Sequence, residues 1–206
     1  MPICVAAPAA AAVGALGPGS RVEVYSDVDD STEQCTAGFV VRNVNRAPLL
    51  FTAGHCNVGE RVMMRSADTG RQVQVGEIVV SQYDGNAGED TDIAVMRPTG
   101  TVPLVSTVDG LPVTGVLSTP FNGLTLCMRG ATTGRSCGPV TEFSDTKVKF
   151  AARVDNGDSG GPVWAMTKDG SALAVGIVIR QASEGLPIAE LVAPWMRRYN
   201  LDVKPA

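Results

Sequence analysis

Thr52-Ala53-Gly54-His55-Cys56 and, far downstream, Gly157-Asp158-Ser159-Gly160-Gly161-Pro162 are the stretches on which the reading of this chain turns. His55 is the single histidine among 206 residues. An imidazole with an unperturbed pKa of about 6.5 takes and returns a proton at neutral pH. A serine hydroxyl is a weak nucleophile until such a base removes its proton. The base in turn needs a partner that fixes its tautomer and stabilises the imidazolium, and a buried aspartate can supply both. Asp92, which opens the apolar run Ile93-Ala94-Val95-Met96, is the candidate. Asp90, two residues earlier, would face the same side of a strand.

Each piece alone has a plainer reading. A lone histidine is usually a satisfied core or surface residue, and Gly-Asp-Ser-Gly-Gly also suits a tight turn. Asp92 before a strand also suits a loop end that satisfies backbone donors. The order His, Asp, Ser along the chain is what separates the catalytic reading from these.

Those motifs resemble the trypsin/chymotrypsin superfamily of serine proteases, in the bacterial branch that includes the streptogrisins and α-lytic protease. Cys35-Thr36-Ala37-Gly38-Phe39-Val40-Val41 is similar to that branch's first cysteine strand. The run from Cys127 to Gly138, Cys-Met-Arg-Gly-Ala-Thr-Thr-Gly-Arg-Ser-Cys-Gly, is similar to its second cysteine loop. The similarity spans residues 20 to 200 or so. It implies an all-β chain of two six-stranded Greek-key β-barrels with a short C-terminal helix and a cleft between the barrels. It also implies a secreted serine endopeptidase that cuts peptide bonds through an acyl-enzyme.

Composition agrees with that class. Charged residues make up 18% and the net charge is −4, so no basic field exists to attract nucleic acid. Gly 23 and Pro 13 suit a turn-rich β protein. Residues 1–19 read as a flexible leader or signal remnant with Val13-Gly14-Ala15 as a small-residue cleavage site; no positive n-region or solid apolar block precedes it. No apolar block there is long enough to span a bilayer, so stable membrane insertion is not expected. The expected partner is a peptide or protein substrate, and the expected state is a monomer. Neither a cofactor nor a metal is expected: no Cys-x-x-Cys pair exists and the one histidine has another role. Asp27, Asp29, Asp30 and Glu33 read as a solvated turn rather than a calcium loop.

Of five cysteines, Cys4 lies in the leader. The other four permit three connectivities, or free buried thiols. The resemblance implies Cys35–Cys56 and Cys127–Cys137, hence an oxidising compartment, outside the cell or in the periplasm or envelope.

Short apolar runs bounded by turn residues recur about a dozen times in two batches, with Pro98-Thr99-Gly100-Thr101-Val102-Pro103 between them. Residues 20–100 are therefore expected to form a first barrel carrying His55 and Asp92, and residues 101–206 a second carrying Ser159. Ile188, Leu191, Val192, Trp195, Met196 and Tyr199 recur at helical spacing, with Pro194 marking a first turn.

The resemblance further implies an oxyanion hole from the Gly157 and Ser159 N–H groups and a structural ion pair between Asp158 and Arg129. It sets Arg153 at the base of the substrate pocket and Ile179, Arg180 and Gln181 along its wall. Arg153 there would favour an acidic side chain, fill the pocket, or pair with Glu184 or Asp155. The wall departs from the family pattern, which leaves a second reading open: a binding protein of the same fold with a restricted pocket. An esterase using the same nucleophile is a third.

Overall fold

The computed structural model describes residues 14–100 and 102–203. Cys4, and with it most of the expected leader, lies outside the described residues. The first seven strands are β1 (Arg21–Tyr25), β2 (Thr32–Thr36), β3 (Val40–Arg42), β4 (Pro48–Thr52), β5 (Arg61–Arg65), β6 (Gln72–Tyr83) and β7 (Asp92–Pro98). They form one antiparallel sheet in the order β2-β1-β5-β6-β7-β4-β3. Its two edges, β2 and β3, are joined by only Ala37, Gly38 and Phe39. The sheet therefore rolls up through one continuous segment, and seven strands make six staves.

Thr36 to Arg42 reads as one strand from its residue types, but the chain changes partner at its middle. Ala37 exchanges backbone bonds with Gly19 and Ser20, whereas Gly38 and Phe39 bond Phe51 of β4. Gly38 is packed closely there: a Cβ would lie 2.8 Å from the Phe51 carbonyl oxygen and 2.9 Å from that of Gly160.

The second half holds β8 (Val113–Val116), β9 (Thr125–Gly130), β10 (Gly134–Phe143), β11 (Lys147–Phe150), β12 (Pro162–Met166), β13 (Ala172–Gln181) and β14 (Pro187–Leu191). The order β12-β9-β10-β11-β14-β13 closes by a β12–β13 pairing into a six-stranded ring. β8 adds to β13 in parallel. The helix α1 (Val192–Tyr199) follows β14, with Pro194 in its first turn, where a missing N–H costs nothing. Asn200 ends it in the left-handed region at φ 52°.

Alternation along the strands builds the interior. Phe39, Phe51, Ile93 and Met96 fill the first sheet, and that cluster continues across the junction to Ile177, Ile179 and Trp195. Leu126, Met128, Phe150 and Val163 fill the second ring. Burying each such side chain stabilises the fold by about 1.5–3 kcal/mol. Trp195 and Tyr199 stack on each other at 6.0 Å between ring centroids, within or against the core as expected. Residues 16–19 are not a loose leader. Leu16 is fully buried, and its N–H and carbonyl bond Pro103 and Val105 of the connector. Among the described residues no helix is long and apolar enough to cross a membrane.

Both disulfides are present as expected, Cys35–Cys56 and Cys127–Cys137. Two such crosslinks fit an oxidising compartment.

Candidate active site

β4 ends at Thr52, and the chain turns through a short 3₁₀ segment, Gly54–Cys56. Glycine is required at 54 because a Cβ would lie 2.2 Å from the Gln82 carbonyl oxygen and 2.9 Å from the Ile93 nitrogen. This contact seats His55 directly over the start of β7. Cys35–Cys56 ties the same turn to β2.

Asp92 grips His55 at two points. Its Oδ1 accepts from the His55 backbone N–H at 2.9 Å, and its Oδ2 lies 2.7 Å from Nδ1. The Asp92 side chain is 2% exposed and that of His55 is 24% exposed. A carboxylate beside Nδ1 favours the proton there and leaves Nε2 as the basic atom. Tyr83, paired with Asp92 across β6 and β7, presents its ring to the imidazole at 6.0 Å. Asp90 does not compete for His55: its carboxylate accepts from the Ala87 N–H in its own turn.

The Ser159 turn is pinned against the His55 segment from the other half. Thr36 donates its N–H to the Ser159 carbonyl at 2.7 Å and its hydroxyl to that of Gly157, also at 2.7 Å. Gly160, at φ 86°, leaves no room for a side chain, since a Cβ would meet Thr52 Oγ1 at 2.2 Å. Gly157 has φ 90°, a conformation open to glycine. Among the described residues, the N–H groups of Gly157 and Ser159 have no protein acceptor. The Ser159 hydroxyl is likewise not hydrogen-bonded to His55 in this structure; such contacts commonly tighten only when substrate binds.

The expected Arg129–Asp158 pair does not form. Arg129 binds Asp109 instead, at 2.8 Å. The reason is strand parity: a Cβ on Gly130 would fall 2.0 Å from Asp158 Oδ1, so position 130 faces the aspartate and 129 faces away. Asp158, fully buried, is satisfied by backbone alone. Thr132 and Thr133 donate to Oδ1 at 2.9 and 3.0 Å, and Asp155 donates to Oδ2 at 2.9 Å.

Arg153 is exposed and lines a cavity of about 410 Å³ with Thr132, Thr133, Val154, Asp155 and Gly185. It pairs with neither Glu184 nor Asp155; Glu184 binds Lys149. Of the wall residues, Ile179 is buried in the core, and Arg180 donates to the Gly88 carbonyl. Gln181 spans two walls, its Nε2 donating to Gly185 O at 3.0 Å and to Val154 O at 3.4 Å. Cys35, His55 and Cys56 cluster within 4.8 Å, but both sulfurs are consumed by the disulfide and cannot ligate a metal.

Sequence reading passed over Glu190 and Lys147. They form a buried ion pair of 3.0 Å, and Glu190 Oε2 also accepts the Asp92 N–H at 3.1 Å. A charge between Ala189 and Leu191, in a strand otherwise apolar, was the available signal.

A rolled first sheet, a closed second ring and a C-terminal helix define the chymotrypsin-type double barrel, with the histidine turn and the serine turn facing each other between the halves. No family model matches the chain. It is similar to an uncharacterized protein of Mycobacterium tuberculosis, Rv1815, at 27% identity over 166 residues, covering 73% of this chain and 70% of that protein. Among solved structures it is similar to Nocardiopsis protease, with 25% identity and a TM-score of 0.69 over 91% of this chain and 98% of that one. An α-lytic protease homolog, N4, gives 26% and 0.70 over 92% and 100%. A glutamic acid-specific serine protease described as using a histidine triad in substrate binding gives 22% and 0.71 over 90% and 98%. The resemblance to the bacterial chymotrypsin-fold serine proteases read from the motifs is thereby borne out.

Proposed function

We propose that the chain is a serine endopeptidase in which His55, Asp92 and Ser159 act together, exported to an oxidising compartment. The observation that carries this reading is the double grip of buried Asp92 on His55, beside a serine turn whose Gly157 and Ser159 N–H groups have no protein acceptor among the described residues.

In this mechanism His55 Nε2 takes the proton of the Ser159 hydroxyl as its oxygen attacks the substrate carbonyl carbon. Asp92 stabilises the imidazolium without itself taking the proton. The carbonyl π pair moves onto oxygen, where the Gly157 and Ser159 N–H groups receive it. Collapse of that intermediate breaks the C–N bond, and His55 returns the proton to the leaving amine. Water then repeats the sequence on the acyl-enzyme. Residues 20–100 and 101–206 are the two halves that supply base and nucleophile.

Of the residues assigned to the substrate pocket in this reading, Arg153 lines one cavity, Arg180 and Gln181 line another, and Ile179 is buried in the core. Recognition through three histidines, as described for the glutamate-specific relative, is not open to a chain with one. The Gln181 bridge favours a second reading, a binding protein with a restricted pocket. A fluorophosphonate probe separates the two. Labelling at Ser159 that His55→Ala abolishes supports the peptidase; folded protein that resists the probe supports the binder.

A further inference from the structure

We infer that Glu190, charge-balanced by Lys147, is a positioning residue for Asp92 and tunes how firmly Asp92 holds the protonated form of His55. This rests on the peptidase reading for its catalytic consequence, though not for its geometry.

Glu190 lies on β14 and Lys147 directly opposite it on β11, both in the second half of the chain. Asp92 lies on β7 in the first half. Three donors meet the Glu190 carboxylate: Oε1 accepts the Trp195 indole N–H at 2.9 Å, and Oε2 accepts both the Lys147 ammonium at 3.0 Å and the Asp92 N–H at 3.1 Å. The side chains of Glu190 and Lys147 are 2% and 7% exposed. Thus the backbone of the residue that holds His55 is itself held by a carboxylate reaching across the junction of the two halves.

Stability alone does not account for this arrangement. Burying both ions costs several kcal/mol apiece before their attraction is counted, and apolar residues of similar volume commonly do as well or better. The location does account for it. Asp92 and Glu190 are both buried, and the Asp92 backbone N–H is bonded to the Glu190 carboxylate, so the charge of Glu190 bears on the residue that holds His55. Lys147, directly across the ladder, balances that charge at 3.0 Å.

The remaining ionisable groups are few. Tyr83 faces His55 from β6. In the turn between β6 and β7, Glu89 accepts from the Thr146 and Ser144 hydroxyls, which hold its carboxyl below the usual range. Lys147 also donates to the Glu89 carbonyl at 3.4 Å, and Arg180 to that of Gly88. None of these carboxylates touches the Asp92 backbone as Glu190 does.

The lone imidazole makes the test direct: NMR titration of His55 in the intact chain, with no other histidine to confuse the signal. Glu190→Gln strips the anion and leaves Lys147 uncompensated, so the His55 midpoint should fall by about 0.5–1 pH unit. Adding Lys147→Met to that variant should bring the midpoint back to within about 0.2 unit. Glu190→Asp keeps the charge but withdraws the carboxylate from the Asp92 N–H. Its midpoint should stay in place, while kcat on an ester substrate falls about threefold at unchanged KM and the Asp92 amide resonance moves. A midpoint that ignores Glu190→Gln, or fails to recover in the double variant, overturns the inference. Should Glu190→Gln not fold, an unaltered Asp92 amide resonance and unaltered kcat in Glu190→Asp overturn it instead. Failure of the peptidase reading would appear separately, as absent Ser159 labelling in a chain whose His55 still titrates as described.

Discussion

Asp158→Asn separates two ways of anchoring the Ser159 turn, by backbone donors or by an ion pair with Arg129. The asparagine oxygen takes the Oδ1 site and keeps the Thr132 and Thr133 N–H groups, but its NH₂ then points at the Asp155 N–H, 2.9 Å away. One buried donor is orphaned, at about 1–3 kcal/mol, and the two surviving bonds lose their charge assistance, at about 1 kcal/mol each. The total is about 3–5 kcal/mol, a large part of a typical domain's 5–15. Arg129→Ala, by contrast, removes only a half-exposed pair with Asp109, worth about 1 kcal/mol or less. Urea unfolding at constant m reads the stability difference. Amide exchange at Thr132, Thr133 and Asp155 reads the local loss, and the fluorophosphonate labelling rate reads the oxyanion site. Asp158→Asn should slow labelling by about 100-fold or more, as loss of oxyanion donors does, while Arg129→Ala leaves it unchanged. The reverse result would refute the backbone-anchored turn and restore the ion pair.

Replacing Cys35 and Cys56 together by serine should cost about 3 kcal/mol in the chain-entropy account of a 21-residue separation, read as a lower urea midpoint for the oxidised variant against wild type. Because Cys56 adjoins His55, labelling should slow in that variant and hold steady when Cys127 and Cys137 are replaced instead. The carboxyl of Glu184 is held down to about 2, first by the Lys149 ammonium and then by its own N–H and the Ser183 hydroxyl. A depressed carboxylate lends stability above its ordinary range and loses it as pH falls through about 2. Lys149→Gln should therefore raise the Glu184 midpoint in a carboxyl ¹³C titration; an unmoved midpoint would show that the turn, not the lysine, sets it.

Motif chemistry was legible because it is local. Glycines that permit close backbone approach at 54 and 160, and a positive φ at 157, sit beside His55 and Ser159, so both motifs stand out within a few residues. Strand runs were legible for the same reason, since alternation is a property of neighbours. What local pattern does not carry is contact between distant backbones. Thr36 to Arg42 has the composition of one strand, yet it splits between two partners, Ala37 bonding Gly19 and Ser20 and Gly38 and Phe39 bonding Phe51. Arg129 has the right charge in the right hairpin, yet one step of parity turns it toward Asp109.

The same distinction explains why the reaction is easier to read than its target. A triad's roles follow from residue types, whereas a pocket's selectivity follows from which atoms remain unpaired after folding. Arg153, the residue expected at the pocket base, stands exposed beside its cavity with no ion-pair partner among the described residues. Gln181, chosen only as wall, reaches over to bond Val154 and Gly185. In the peptidase reading, a substrate side chain that displaces this amide frees the two carbonyls it satisfies. Those carbonyls would then need new donors, so a group that replaces the amide's hydrogen bonds is favoured over an apolar one of equal size. If the peptidase reading holds, selectivity turns on the replacement of Gln181's bonds as well as on the charge of Arg153.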